Sequence, residues 1–104
     1  MKALTLSAIA AAIVLAGVDA SAQQTHTVTI ENLRFEPQTL TVKRGDRVVW
    51  ANKDLVPHTA TVAKGFDSHS IAANTSWSYT ARTPGRYDYR CTFHPMMKAT
   101  LVVE

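Results

Sequence analysis

The 104-residue chain holds a single cysteine, Cys91, so it closes no disulfide within itself. Small exported domains use cysteines in pairs, and an odd one is a reactive thiol, an intermolecular link or a metal ligand. Charge is also sparse. Lys and Arg number 11 against 8 Asp and Glu, a formal net charge of +3 with histidines neutral. Lys43, Arg44, Arg47, Lys53, Lys64, Arg82, Arg86, Arg90 and Lys98 are scattered and build no dense basic run. With no RNA-type aromatic motif either, the chain reads as having no nucleic-acid partner. The mild positive field that remains can steer an acidic protein partner. There is no internal repeat and no low-complexity linker. Past the first residues, no segment has a convincing helical period.

Long apolar runs are missing except at the start. Ala3 to Val18 is apolar apart from Thr5, Ser7 and Gly17, which is shorter than the ~20 residues a membrane span needs. Lys2 precedes the run, and Ala20-Ser21-Ala22 follows it with the small-x-small pattern of a signal-peptidase site. Residues 1–22 therefore read as a signal peptide and residues 23–104 as the mature domain. The expected location is the periplasm, with no stable membrane insertion. No cysteine follows the apolar run, which removes lipid attachment there. What remains is one small domain with a limited core, in which a bound metal adds useful stability. It has no room for a large cofactor together with a substrate domain.

What the chain does have is alternation of apolar and polar residues. Val28, Ile30 and Leu33 lead into Phe35, and Leu40 and Val42 alternate with Thr39, Thr41 and Lys43. Arg47 to Ala51 is β-branched and aromatic. Thr59 to Val62 alternates, as do Trp77, Tyr79 and Ala81, and Arg86 to Arg90 has a clear period of two. Ala99 to Val103 closes the chain. Turn residues part these runs at Glu36-Pro37, Arg44-Gly45-Asp46, Asn52-Lys53-Asp54, Lys64-Gly65, Ala73-Asn74 and Thr83-Pro84-Gly85. About seven or eight short strands with regular turns predict an all-β sandwich. Residues 66–74 fit either a loop or a short strand.

The chemistry lies in Cys91-Thr92-Phe93-His94-Pro95-Met96-Met97 and, upstream, Pro57-His58-Thr59. One thiolate, two imidazoles and a thioether are the ligand set of a mononuclear blue-copper electron-transfer site. The soft thiolate holds copper in both oxidation states, and a site that changes little between them speeds electron transfer. The spacing suits this. The strand Arg86–Arg90 delivers Cys91, a short turn reverses the chain, and Lys98 re-enters the sheet, while His58 arrives from a distant turn. Each residue also has an ordinary reading: Cys91 as a small buried hydrophobe, His58 as a turn residue, Met97 as core filler. Their joint occurrence outweighs those readings. Met96 and Met97 compete for the axial place.

On these residues the chain resembles a cupredoxin of the amicyanin and plastocyanin-like group. The run Phe35-x-Pro37-x-x-Leu40-x-Val42-x-x-Gly45-Asp46-x-Val48-x-Trp50-x-Asn52 is similar to the family's opening strands. Gly85-x-Tyr87-x-Tyr89-x-Cys91-x-x-His94-Pro95-x-Met97 resembles its short, amicyanin-type ligand loop. The resemblance covers the mature chain. It implies a Greek-key β-sandwich, with His58, Cys91 and His94 in the metal plane and Met97 on the axis of one type 1 copper. It implies a monomeric carrier of single electrons, not an enzyme, with redox proteins such as a c-type cytochrome or a periplasmic dehydrogenase as partners. The runner-up reading is copper handling or chaperoning, to which Met96, Met97 and His69 lend some support.

Further expectations concern the surroundings. The Thr59 backbone N–H is the expected donor to the thiolate. Asn52 is expected to tie the two ligand-bearing loops together. Pro57 and Pro95 stiffen the turns. Phe93, Pro95 and Met96 are expected to form an apolar patch at the edge of His94, where the electron leaves. Trp50 and Trp77 are expected to pack the core, His26 to be exposed, and His69 to serve a turn where relatives often have glycine.

Overall fold

Seven strands account for the regular structure of the computed structural model, which describes residues 22–104. The expected signal peptide, residues 1–22, lies outside the described residues except for Ala22. The strands are β1 (Thr25–Glu31), β2 (Arg34–Glu36), β3 (Thr39–Val42), β4 (Arg47–Asn52), β5 (Ser76–Thr80), β6 (Gly85–Arg90) and β7 (Lys98–Val103). They form a four-stranded sheet, β2-β1-β4-β5, and a three-stranded sheet, β3-β7-β6. Two of the pairings are parallel, β1 with β4 and β3 with β7, and the rest are antiparallel. Parallel neighbours need connections that leave the sheet. Here the chain passes to the other sheet between β2 and β3, β3 and β4, and β5 and β6. The result is the expected all-β sandwich. Among the described residues there is no helix.

Alternation explains which face goes inward. In β4, Val48, Trp50 and Asn52 are buried while Arg47 is exposed. In β7, Ala99, Leu101 and Val103 face the core. Val28, Ile30, Val48, Trp50 and Leu101 are almost completely buried between the sheets. Trp50 is the centrepiece, packed against Phe66, Trp77 and Tyr89, with Tyr89 edge-on at 5.5 Å. Among the described residues its indole N–H has no well-aligned hydrogen-bond partner, although it lies close enough to the Tyr89 hydroxyl to interact with it. Trp77 is partly buried against the same cluster, so both tryptophans pack the core as expected.

The sequence pattern overstates order in one place. Thr59–Val62 alternates like a strand but makes only isolated bridges, Thr61 to Asp67 and Thr61 to Arg90. Residues 66–74 take the loop of their two readings and meet the chain through the isolated bridges Thr61–Asp67 and His58–Ile71. Leu33, read as continuing the first apolar run, is half exposed. It sits with Asn32 in the two-residue turn joining β1 to β2, at φ of 59° and 55°. Two consecutive left-handed residues are the primed turn that matches the twist of a hairpin.

His26 is also not the exposed residue expected. Its Nε2 lies 2.9 Å from Asp46 Oδ2, and its side chain is 27% exposed. Asp46 is buried and accepts backbone N–H groups from Gln24 and Lys43. Before it stands Gly45 at φ 95°, a conformation open to glycine. This carboxylate therefore ties the start of β1 to the β3–β4 turn. The hydrogen bond with His26, then those from Gln24 and Lys43, hold its carboxyl below the ordinary value of 3.8.

Two outcomes follow from this architecture. Leu101→Ala removes a side chain that is 1% exposed and should cost about 2–5 kcal/mol, read from the urea midpoint at constant slope. A depressed carboxyl contributes stability above its unfolded value and loses it as pH falls through the folded one. Acid titration of the unfolding midpoint should therefore show a steeper fall below the ordinary carboxylate range in the wild type than in Asp46→Asn. Parallel curves would remove Asp46 from the account.

Candidate metal centre

One end of the sandwich gathers the expected ligands from two separate stretches of chain. Strand β6 ends at Arg90 and delivers Cys91, which is fully buried. The chain then reverses through Thr92–Met97. Met97 N–H donates to the His94 carbonyl at 2.8 Å, and Cys91 N–H donates to the Met97 carbonyl at 3.0 Å. The loop is thus closed on itself before β7 begins. His58 comes from the segment after β4 and is held by a two-way backbone bridge with Ile71. Its side chain is also fully buried.

Cys91 Sγ lies 3.7 Å from His58 Nδ1 and 3.6 Å from His94 Nδ1. The three donor atoms are all within 4.8 Å of one another. Donors bonded to one metal at about 2.0 Å (nitrogen) and 2.3 Å (sulfur), opened by a trigonal angle, stand about 3.7 Å apart. The observed separations therefore fit one ion shared by all three groups. The donor set of a thiolate and two imidazoles is that of copper in a trigonal site. Burial separates the two methionines that compete in sequence. Met97 is 5% exposed and turned inward, whereas Met96 is 91% exposed.

The supporting shell is partly as expected. Thr59 N–H points at Cys91 Sγ at 3.4 Å. Asn52 does not join the two ligand-bearing loops. Its Nδ2 donates to the Val56 and Ile71 carbonyls, and its Oδ1 accepts from Asp54 N–H. It is buried beneath the His58 segment, and none of these bonds goes to residues 91–97. The joint between the loops is made by Thr59 and Thr92. Thr92 N–H donates to Thr59 Oγ1 at 2.9 Å, and the two hydroxyls are 3.2 Å apart. Thr61 Oγ1 adds a third hydroxyl to that chain. Threonines in a β-rich sequence give no separate signal, and only the fold reveals this contact.

Asp54 is the other residue that sequence reasoning missed. Its Oδ2 lies 2.8 Å from His58 Nε2, the ring nitrogen opposite the one facing Cys91. The same carboxylate accepts backbone N–H groups from Asn32 and Leu33 at 2.7 and 3.0 Å. Burial alone would raise this carboxyl, but the Leu33 N–H, His58 and the Asn32 N–H hold it below 3.8. A carboxylate four residues before a ligand histidine was the available signal. In the sequence Asn52-Lys53-Asp54 reads only as a turn.

The outer residues sort as follows. Phe93 is 52% exposed, Pro95 and Met96 are exposed, and His94 is half buried beside them. Leu55, Val56 and Pro57 add exposed apolar groups on the other ligand-bearing segment. His69 takes φ of 56°, and its N–H caps Asp67 at 2.8 Å. It thus serves a turn in a glycine-like conformation, and it is not among the converging donors.

Residues 3–103 match the family described as Cupredoxin-like domain. Amicyanin-alpha of Methylorubrum extorquens is 31% identical over all of this chain and 92% of its own length. An amicyanin of Paracoccus versutus is 31% identical over 74% of this chain and 63% of that protein. A solved structure of an amicyanin variant in its reduced Cu(I) form superposes with a TM-score of 0.74, at 31% identity, over 82% of this chain and 87% of that one. A copper-containing nitrite reductase of Thermus scotoductus gives 0.73 at 26% identity, but the match spans only 24% of that chain. In sequence, in fold and in the donors gathered at one end of its sandwich, the chain belongs to the cupredoxin-like family.

Proposed function

We propose that His58, Cys91 and His94 would hold one copper ion as its strong ligands, with the Met97 thioether as a weaker fourth. The chain is a blue-copper electron-transfer protein of the amicyanin kind. The observation that carries the ligand assignment is the convergence of three donors, from segments more than thirty residues apart, within 4.8 Å. Copper bound there supplies a one-electron couple between Cu(I) and Cu(II).

The protein's own residues make that couple usable. The ligands sit on a closed loop and a bridged segment joined by Thr59 and Thr92. A frame so tied moves little when the metal charge changes, which keeps the reorganisation small. The Thr59 N–H draws electron density from the thiolate and so favours the reduced state. Burial of Cys91 and His58 keeps water from the sulfur. The half-buried His94 is the outlet, because the loop flanks it with the exposed apolar residues Phe93, Pro95 and Met96. Their apolar surface admits a partner to close range and excludes solvent there.

The partner is a redox protein. We place it among c-type cytochromes and periplasmic dehydrogenases, with the scattered basic residues favouring an acidic face. Residues 1–22 act as the signal peptide and the mature domain, 23–104, works as a monomer in the periplasm. It carries electrons and performs no catalysis itself. Nitrite reduction would require further copper ligands, and the nitrite reductase match covers a domain-sized share of that larger chain.

Copper(II) added to the mature protein should produce an intense thiolate-to-copper absorption band at one equivalent. Cys91→Ser should abolish the band, and one electron should bleach it reversibly. An ordinary weak copper(II) spectrum in the wild type would sink the assignment. Met97→Leu should change both the paramagnetic-resonance parameters and the reduction potential, while Met96→Leu should leave them at wild-type values. The reverse pattern would exchange the roles of the two methionines.

A further inference from the structure

The hydrogen bond on the far side of His58 sets it apart from the other imidazole of the site. His58 is wholly buried, and its Nε2 meets the carboxylate of Asp54, which is 15% exposed. Among the described residues no carboxylate lies within 4.0 Å of a His94 ring nitrogen. An ionised carboxylate can only accept hydrogen bonds. His58 Nε2 must then carry the proton, and the lone pair is left on Nδ1, the atom that faces Cys91 Sγ. Which nitrogen of a histidine binds metal is set by the bond the other one makes.

The carboxylate is itself immobilised. The left-handed pair Asn32 and Leu33 points two successive N–H groups at it, at 2.7 and 3.0 Å. Such a concave arrangement of backbone donors is an anion site within the fold. Asp54 N–H in turn is held by the buried Asn52 side chain. The chain of contacts therefore runs from the β1–β2 turn through Asp54 to His58, each hydrogen bond along it having a defined direction.

We propose that Asp54 is a positioning residue for the metal site: clamped by the Asn32–Leu33 turn, it holds His58 as the tautomer that presents Nδ1 and raises the donor strength of that ring. The proposal rests on the copper reading above. A carboxylate partner makes an imidazole more basic, and a more basic nitrogen ligand favours Cu(II) over Cu(I). Asp54 thereby lowers the reduction potential, opposing the Thr59 N–H on the sulfur. A residue that served only to cap the turn would change stability and leave the potential alone.

The test uses Asp54→Asn, which keeps the size and removes the charge. Copper(II) affinity should fall by about 10- to 100-fold, the usual loss when such a partner is removed. Copper(I) affinity should fall less, so the potential should rise. A wild-type potential in a variant with the normal thiolate band would overturn the proposal and leave the copper reading standing. A wild type with no thiolate band would overturn both. Should the variant not fold, the metal-free wild type decides the tautomer. Nitrogen-15 spectra at about pH 8, above the ordinary histidine range, should show His58 protonated on Nε2, with that proton slow to exchange. A proton on Nδ1 instead would overturn the proposal.

Discussion

The site depends on the joint between Thr59 and the Cys91–Thr92 corner. His58 and Cys91 are far apart in sequence, and no regular strand pairing runs between their segments beyond the single Thr61–Arg90 bridge. Thr59 supplies what the sheet does not. Its N–H reaches the sulfur, and its hydroxyl receives the Thr92 N–H. Both contacts are to groups that are costly to bury unpaired. One threonine thus satisfies the polar atoms of the corner and sets the distance between the two ligand-bearing segments.

The rest of the molecule can be read as a rigid mount for that corner. The two sheets are stitched by an aromatic cluster centred on Trp50, with Phe35, Phe66, Trp77 and Tyr89 around it. Tyr89 lies two residues before Cys91, so the same core that stabilises the sandwich fixes the strand that delivers the thiolate. Burial pushes the Tyr89 hydroxyl up to about 12, as expected for a phenol kept neutral among aromatic rings. A carboxylate closes each end of the sandwich. Asp46 binds the N-terminal strand to the β3–β4 turn at the end remote from the metal site. Asp54 binds the β1–β2 turn to His58 at the other. In both cases the acceptor capacity of one carboxylate is matched by several donors, the arrangement that makes a buried charge tolerable.

Function follows from combining a buried donor set with a partly open edge. Cys91 and His58 are sealed, while His94 is half buried in a loop whose neighbouring residues Phe93, Pro95 and Met96 are exposed. The apolar residues standing out from the described surface, Leu33, Leu55, Val56, Phe93 and Met96, all belong to the turns at this end. An apolar rim suits brief contact with a protein partner, since it releases water without demanding a fixed set of polar matches. The amicyanin relatives and the Cu(I)-containing amicyanin structure place the same chemistry on the same sandwich.

The strand pattern and the ligand motif were both legible because each is written in local spacing. Period-two alternation in Arg47–Asn52 and Lys98–Val103 marks a sheet face wherever the strand is placed, and Cys91, His94 and Met97 lie within one short loop. The Thr59–Val62 run misled because alternation reports a buried face and not a pairing partner. That segment lies against the core while bonding to it through isolated bridges. His26, Asn52, Asp54 and the Thr59–Thr92 contact depend on approaches across twenty or more residues, or on the direction of a side chain in a turn. By itself the sequence determined the sandwich, the donor types and the loop that brings three of them together, since these follow from periodicity and from the chemistry of the residues. Only the tertiary structure decided that Met97 and not Met96 turns inward and that Thr59 joins the two segments. Which carboxylate backs His58 was decided there too, because burial and hydrogen-bond direction exist only once distant segments share the same space.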